Sequence, residues 1–556
     1  MTSRRHFLQQ TTGSIVASAL PFSHAVRNGT PQDAFLDLGR GPDAVSVGTP
    51  AGDQQLLRAG NGRWNGDGVT VRMIEVPGAL RVELTAPAVA VKRVGLRWRG
   101  GMNKTRLLLG DAWERGYGDF EWRGFVPDRV MPWYLIVWDG TRADGYGVRT
   151  SAAAFCFWHA DPGGVTLWAD VRSGSSAVHL GERSLSVCDV VCRAGRAGES
   201  AFVALGALCR QMCVNPRLPP APVYGSNDWY WAYGKNSAAS ALADAQRIVE
   251  LSPAGRNRPF VVIDDGWQPG RGASRNGSGT WDRGNEKFPD LPGLVGNVRR
   301  LGARMGAWIR PLEAPADAPD SWRLPRDRSS LDPTVTEVRQ KITGDIARLR
   351  SWGMELIKHD YSTFDLLGRW GFQMGSALTR DGWTFAEGPQ RTTAEVINAL
   401  YQTIRSAAGD TLIIGCNTVS HLSAGAFEMC RIGDDVSGTE WARTRRMGVN
   451  SLAFRGAQHG TFYAADPDCV GVTTAVPWEL NRQWLDLVAR CGTMLFVSLA
   501  TDALGTDQRR DLRAALELAA RPEPLGEPLD WMNTTWPSRW RLTGAERTYD
   551  WGSAEG

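Results

Sequence analysis

Lys358 and Asp360 stand two residues apart at the end of a short apolar run, Met354-Glu-Leu-Ile-Lys-His-Asp360-Tyr361. On an extended backbone residues i and i+2 point to the same side, so this ammonium and carboxylate are expected to share one face. A carboxylate beside an ammonium has its charged form favoured. That is the state a carboxylate nucleophile needs. A salt bridge closing one strand would explain a single run of this kind. Three more runs close on acids, however: Asp264 and Asp265, Asp434 and Asp435, and Asp466 and Asp468. Carboxylates cost free energy to desolvate, and a core does not gather them without use. Two carboxylates facing one another across a sugar are the requirement of glycoside hydrolysis. Clustered acids holding a divalent cation are the competing use. His359 alternates to the opposite face, and neither Cys-x2-Cys nor His-x3-His spacing occurs among 9 Cys and 7 His. No metal or other cofactor is therefore expected.

The elements that must position these acids follow from the apolar rhythm. Strands are expected at Val223 to Asp228, Pro259 to Trp267, Met305 to Arg310, Met354 to Asp360, Thr411 to Asn417, Arg431 to Val436, Thr461 to Asp468 and Met494 to Ser498. Helical periods lie between several of them, at Ala238 to Leu251, Thr334 to Trp352 and Thr393 to Ala407. Eight such strands over residues 223–505 match a parallel (β/α)8 TIM barrel, whose catalytic groups collect at the strands' C-terminal ends. The interval from Cys416 to Arg431 is too short for a full helix and return, so the fifth repeat is irregular. An open doubly wound sheet is the alternative, but no Gly-x-Gly-x-x-Gly follows any strand.

Ahead of this region, residues 30–213 alternate with period two, as in Val69-Thr-Val-Arg-Met-Ile-Glu-Val76, with Gly and Pro punctuation. This predicts an N-terminal antiparallel β-sandwich. Within it, Gly110 to Trp122 carries four acids and two Trp among glycines. It reads as a turn anchored by buried Trp, or as an accessory loop reaching a sugar site. Asn215 to Pro222 holds four prolines in eight residues, a stiff linker over 214–222. Residues 506–556 offer one amphipathic helix, Arg509 to Ala520, and a short C-terminal β fragment in which a strand pair begins near Tyr549-Asp-Trp551.

At 42% hydrophobic and 22% charged residues the chain can bury large cores, and a net charge of +4 excludes a dedicated nucleic-acid binder. The 24 Trp against 10 Tyr lean towards sugar stacking. Ser3-Arg4-Arg5-His6-Phe7-Leu8, the apolar run Ile15 to Leu20 and Ser23-His24-Ala25 have the form of a twin-arginine (Tat) signal peptide over residues 1–25. The expected destination is the periplasm or the cell exterior, with no membrane segment in the mature protein. Most of the cysteines read as small buried hydrophobes.

Val262-Ile-Asp-Asp-Gly-Trp-Gln268, Ile357-Lys-His-Asp-Tyr361, Arg431-Ile-Gly-Asp-Asp-Val436 and Ala465-Asp-Pro-Asp468 occur in that order. Together they resemble the strand ends of the α-galactosidase clan, glycoside hydrolase families 27 and 36, and most of all the family 36 and raffinose-synthase branch. The resemblance implies a retaining hydrolase of terminal α-galactosides, with α-linked oligosaccharide as partner. Asp360 would be the nucleophile and Asp435 the general acid/base, with the adjacent Asp434 leaving that role open by one residue. Asp264 and Asp265 would bind the 4- and 6-hydroxyls, Lys358 the 3-hydroxyl and Arg431 the 2-hydroxyl. Trp229 would wall the ring, Cys416 and Asn417 would line the 2-position, and Trp267 would complete the sugar site. The like charge of Asp434 is expected to raise one pKa of the pair, as an acid requires. A transglycosylase, a hydrolase of another α-glycoside such as an α-N-acetylgalactosaminide or an isomalto-type sugar, and a carbohydrate-binding protein on an inactive barrel are the alternatives.

Overall fold

The computed structural model describes residues 35–102, 104–270, 279–379 and 382–552. Residues 1–25, expected to be a signal peptide, lie outside the described residues.

The period-two region forms two antiparallel sheets, of six and eight strands. Val69–Val76 and Ala79–Ala86 pair as a hairpin in the larger sheet, and Arg93–Arg99 pairs with Gly164–Asp170 in the smaller. Alternation is realised in Ala79–Ala86, where every second residue is buried. One element departs from an all-β expectation: Ala201–Met212 is a helix, N-capped by Ser200. It packs on the strand Ala143–Val148, where a Cβ at Gly145 would come within 2.8 Å of Leu208. Glycine there lets the helix approach the sheet.

Residues 224–499 supply a nine-stranded parallel sheet. In chain order its strands are β1 (Tyr224–Asn227), β2 (Phe260–Ile263), β3 (Arg304–Ile309), β4 (Leu356–His359), β5 (Leu412–Gly415), β6 (Met429–Arg431), β7 (Ala464–Asp466), β8 (Cys469–Val472) and β9 (Leu495–Leu499). The ladder runs β7-β6-β5-β4-β3-β2-β1-β9-β8. Its two outer strands are consecutive in the chain, parted by Pro467 and Asp468, the latter at φ +78°. The seventh expected strand, Thr461 to Asp468, is therefore only β7, and β8 after it is not among the expected ones; the break falls at Pro467 and Asp468 because proline cannot donate to a ladder and aspartate tolerates the left-handed region. The sixth begins two residues early, leaving Asp434 and Asp435 beyond its end.

Alternation divides the sheet's two faces. Phe260, Val262, Leu356, Leu412, Ile414, Met429, Ala464, Cys469 and Phe496 form one separate apolar cluster. Val261, Ile263, Ile357 and Ile413 join the large cluster that includes the helices. Those helices include Ala238–Leu251, Leu291–Leu301, Thr336–Ser351, Thr393–Ala408 and Trp478–Arg490. Between β5 and β6 stands only the four-residue helix Ser420–Ser423, the irregular repeat.

After β9 come a helix, Thr506–Ala519, and a three-stranded antiparallel sheet of Glu527–Pro528, Arg539–Leu542 and Ala545–Thr548. The strand pair therefore precedes Tyr549 instead of starting there: the tight turn at Thr543 and Gly544, both at positive φ, sets its place. None of the nine cysteines is in a disulfide, and eight are buried.

Candidate active site

Asp360 follows β4 directly. Its backbone N–H donates to Ile309 O at 3.0 Å, so the ladder with β3 continues to the carboxylate. Trp308 Nε1 donates to Asp360 Oδ2 at 2.9 Å, and the N–H of Tyr361 donates to Oδ1 at 2.8 Å. Tyr361 sits at φ +65°, a sparsely populated region for a bulky residue. That conformation aims its N–H at the neighbouring carboxylate. Each oxygen of Asp360 is thus fixed by one donor.

The expected Lys358–Asp360 pair is not formed. Lys358 Nζ is bound to Asp264 Oδ2 at 2.7 Å, with both side chains buried. The reason is the sheet: β2 and β4 flank β3, so Asp264 and Lys358 meet across it. Burial pushes the Lys358 pKa down most strongly, but Asp264, Cys416 and Asp360 together outweigh it and leave the pKa raised. Asp264 also accepts from Asn227 Nδ2 at 2.8 Å, and its N–H donates to Asp228 Oδ1 at 2.8 Å. Asp228 is buried, and desolvation with the Asp264 charge raises its pKa to about 8. Asp265 accepts from Gln268 Nε2 at 2.7 Å.

Beyond β6 the two adjacent aspartates have different surroundings. Asp434 is bound on both oxygens, by Arg115 at 2.9 Å and Arg443 at 3.0 Å. Asp435 is reached by Arg431 at 2.8 Å and Arg115 at 3.7 Å, and 41% of its side chain is exposed. The raised acid expected from the like-charge neighbour is not found at Asp435. Desolvation pushes its pKa up, but Arg431, Arg115, Lys358 and Arg443 together hold it below the usual carboxylate range. Guanidiniums, not the neighbouring carboxylate, set its charge.

Arg431 is itself held from behind. Asp468 accepts from Arg431 and from the Tyr230 hydroxyl, and its Oδ2 takes the Val436 N–H at 2.9 Å. The left-handed backbone at Asp468 turns this carboxylate to meet all three. Asp466 Oδ1 accepts the Asp468 N–H at 2.9 Å.

Arg115 comes from the antiparallel unit. Gly110 to Trp122 is a Trp-anchored loop that also reaches the acids. Trp113 packs edge-on against Trp133 at 5.4 Å, and Tyr117 and Arg115 reach the acids. Backbone bonds weld this loop to the parallel sheet: Gly116 N donates to Ile432 O at 2.8 Å, and Asp434 N donates to Gly116 O at 2.7 Å. Asp360, Asp434 and Asp435 line one cavity of about 280 Å³, with Arg115, Tyr117, Tyr361, Trp370, Phe372 and Arg443.

Trp267, Asn417, Cys416 and Trp229 do not line that cavity. Trp267 is a core residue, 0% exposed, whose indole N–H donates to Trp308 O at 2.9 Å while its ring meets Trp281. Asn417 is also fully buried. Its amide donates to Glu114, and its oxygen accepts from Phe364 N at 3.1 Å, so it ties the Gly110 to Trp122 loop to the helix after β4. Cys416 lies beside Arg431 and Arg115, at 3.6 and 3.8 Å from their nitrogens. Trp229 opens the short helix Trp229–Ala232 and is half-buried against Tyr233. Among the described residues, no group of three or more His, Cys, Asp or Glu is arranged to hold a metal ion. The signal that could have found Trp308 was its place at a strand end beside the acid run. For Arg115 it was a cation inside an aromatic, acid-rich loop.

No family model matches the chain. A stretch of 102 residues is 31% identical to an α-galactosidase of Escherichia coli, over 18% of this chain and 14% of that protein's length. Among solved structures, TtGalA, an α-galactosidase from Thermus thermophilus in complex with p-nitrophenyl α-D-galactopyranoside, superposes with a TM-score of 0.60 at 17% identity. It covers 91% of this chain and 99% of that one. The GH36 α-galactosidase AgaA from Geobacillus stearothermophilus gives 0.53 at 13% identity, over 85% and 74% of the two chains. The chain therefore shares the fold of the family 36 α-galactosidases, with antiparallel sheets ahead of a parallel one.

Proposed function

We propose that the protein is a retaining glycoside hydrolase acting on terminal α-galactosides. The observation that carries this is that Asp360 and Asp435, from two different strand ends, line one small cavity. In this reading the parallel sheet closes through the Pro467 and Asp468 break into a (β/α)8 barrel, with the acids at its mouth. The likeness of fold to α-galactosidases supports the same sugar.

The Asp360 carboxylate attacks the anomeric carbon as the bond to the leaving oxygen breaks, and Asp435, in the fraction its surrounding cations leave protonated, gives that oxygen its proton. Trp308 and Tyr361 hold the attacking carboxylate in a single orientation. A glycosyl ester on Asp360 results. Asp435, now ionised, takes a proton from water, whose oxygen attacks the same carbon and frees Asp360. Two inversions return the α-configuration. Lys358, Asp264 and Asp265 bind the ring hydroxyls, and Arg431 the 2-hydroxyl. Asp434, saturated by two guanidiniums, holds Arg115 and is not the proton donor. The twin-arginine sequence supports export from the cytoplasm by the Tat route.

The test is a screen of aryl α-glycosides (galactose, N-acetylgalactosamine, glucose and arabinose) followed by anomer-resolved NMR of fresh product. The expected result is turnover of the galactoside with α-galactose appearing first. The β-anomer first would make Asp360 at most a general base.

A further inference from the structure

Glu114 is a carboxylate with no exposed surface and no part in the reaction above. It comes from the Gly110 to Trp122 loop, and three donors meet it. Gly371 N donates to Oε1 at 2.8 Å, the Tyr117 hydroxyl donates to the same oxygen, and Asn417 Nδ2 donates to Oε2. Gly371 has no room for a side chain, since a Cβ there would come within 2.7 Å of Glu114 Cγ. Desolvating a carboxylate is costly, so one placed at the junction of three segments calls for a use.

The two bonds outside its own loop reach both ends of the segment that follows Asp360. At the near end, Asn417 accepts Phe364 N on its side-chain oxygen and Thr363 N on its carbonyl, each at 3.1 Å. Those residues open the helix Ser362–Leu367, and Tyr361 stands just before it. At the far end, the Gly371 bond anchors Trp370, whose ring stacks on Phe364 at 4.5 Å and meets Tyr361 edge-on at 5.7 Å. Arg310 covers the Tyr361 ring, with its guanidinium 4.5 Å from the centroid. Tyr361 sits at φ +65° with its N–H on Asp360 Oδ1. A bulky residue keeps that conformation only where its surroundings over-determine it. Glu114 supplies part of that determination from both ends.

We propose that Glu114 is a positioning residue for the nucleophile: through Asn417 and Gly371 it holds Tyr361 in the conformation that aims an N–H at Asp360. The expected effect on rate rests on the glycosidase reading above. Asn417 then acts through Asp360 and not by touching the sugar. The antiparallel unit thereby reaches both carboxylates, Asp435 through Arg115 and Asp360 through Glu114.

The experiment swaps donor and acceptor in the full-length chain. Glu114→Gln sets an amide donor against one of the three donors, and Asn417→Asp sets a second carboxylate against Glu114. In the double variant the new amide at 114 donates to the new carboxylate at 417, whose other oxygen still accepts Phe364 N, and the net charge is that of the parent. Two readings are taken: kcat and KM on an aryl α-galactoside, and the NMR resonance of the Trp308 indole N–H, which donates to Asp360 Oδ2. Trp308→Phe assigns that resonance by its loss. In each single variant kcat is expected to fall roughly ten- to hundredfold, with KM within about threefold of the parent and the Trp308 resonance displaced. The double variant should return kcat to within about threefold of the parent and the resonance to its place. Unchanged kcat in both single variants, a loss of kcat with the resonance unmoved, or no recovery in the double variant overturns the proposal. If a single variant does not fold, the double variant decides: parental kcat and resonance uphold the link, and a displaced resonance or an unfolded chain removes it. If the parent turns over no α-glycoside, the glycosidase reading fails by itself, and the Trp308 resonance across the same variants still decides whether Glu114 positions Asp360.

Discussion

Arg115 Nη2 lies 2.9 Å from Asp434 Oδ1, so a cation carried by the antiparallel unit is fixed to the segment that follows β6. The same guanidinium stands 3.7 Å from Asp435. With Arg443 on its other oxygen, Asp434 is a counter-ion. Asp435 remains the carboxylate open to the cavity.

Arg115→Gln is expected to shift the pH profile. Asp435 faces Arg431, Arg115, Lys358 and Arg443 as cations, with Asp468, Tyr230 and Tyr361 also nearby. Removing one cation lets its pKa rise, so the proton needed by the leaving group persists to higher pH. The alkaline limb of kcat/KM should move upward in pH, as read from a full profile. An unmoved limb with lowered kcat would make Arg115 purely structural.

Asp360→Asn should lower turnover by at least about a thousandfold, since residues that act as a unit in covalent catalysis fail together. Asp435→Ala should spare activated aryl substrates, whose leaving group needs no proton, and lose poor leaving groups. Azide should restore turnover in Asp435→Ala by intercepting the glycosyl ester on Asp360, giving an α-glycosyl azide detectable by mass spectrometry and NMR. Equal loss on both substrate types would point to a positioning role.

Lys358→Ala is expected to destabilise the fold by about 3–5 kcal/mol, because it strands the Asp264 charge in a buried site. Urea unfolding monitored by tryptophan fluorescence gives the value. The Lys358→Met, Asp264→Asn double variant should recover most of it while remaining inactive. A single variant as stable as the parent would mean that Asp264 is neutral without its partner.

Asp228 ties stability to pH. Its folded pKa, about 8, lies above the ordinary 3.8, so the folded chain binds the extra proton between those values. That favourable contribution is present in full below about pH 4 and is lost as pH rises through about 8. Asp228→Asn should therefore gain in Tm relative to the parent as pH goes from 4 to 8. A constant difference across that range would show that Asp228 titrates alike in both states.

Much of this architecture was legible because apolar period reports burial, and burial is what the parallel strands share. The helix Ala238–Leu251 was bounded to the residue, and the acids stood where the runs ended. Pairing was not legible. Lys358 and Asp360 share a strand, but which charges meet depends on the neighbouring strand, and Asp264 across β3 wins that contact. Trp267 sits inside a conspicuous motif, yet its burial depends on Trp281 in the following loop and on Trp352, 85 residues on in the chain. Arg115 lies about 320 residues from Asp435 in sequence, and no local pattern announces such a contact. The break at Pro467 was visible as a proline but was read as part of a strand.

The Gly116 and Gly433 backbones lie side by side, bridged by the bonds of Gly116 to Ile432 and Asp434, and neither position has room for a side chain: a Cβ on Gly433 would come within 2.6 Å of Ser451 Oγ. Cutting the chain in the Pro-rich segment at 214–222 and discarding the front portion would therefore not release a self-sufficient catalyst. It would strip Arg115 and Tyr117 from the cavity and take the Gly116 carbonyl from the Asp434 N–H. The two portions are not interchangeable modules, and a graft of another front portion would have to reproduce this side-chain-free seam before any chemistry could follow.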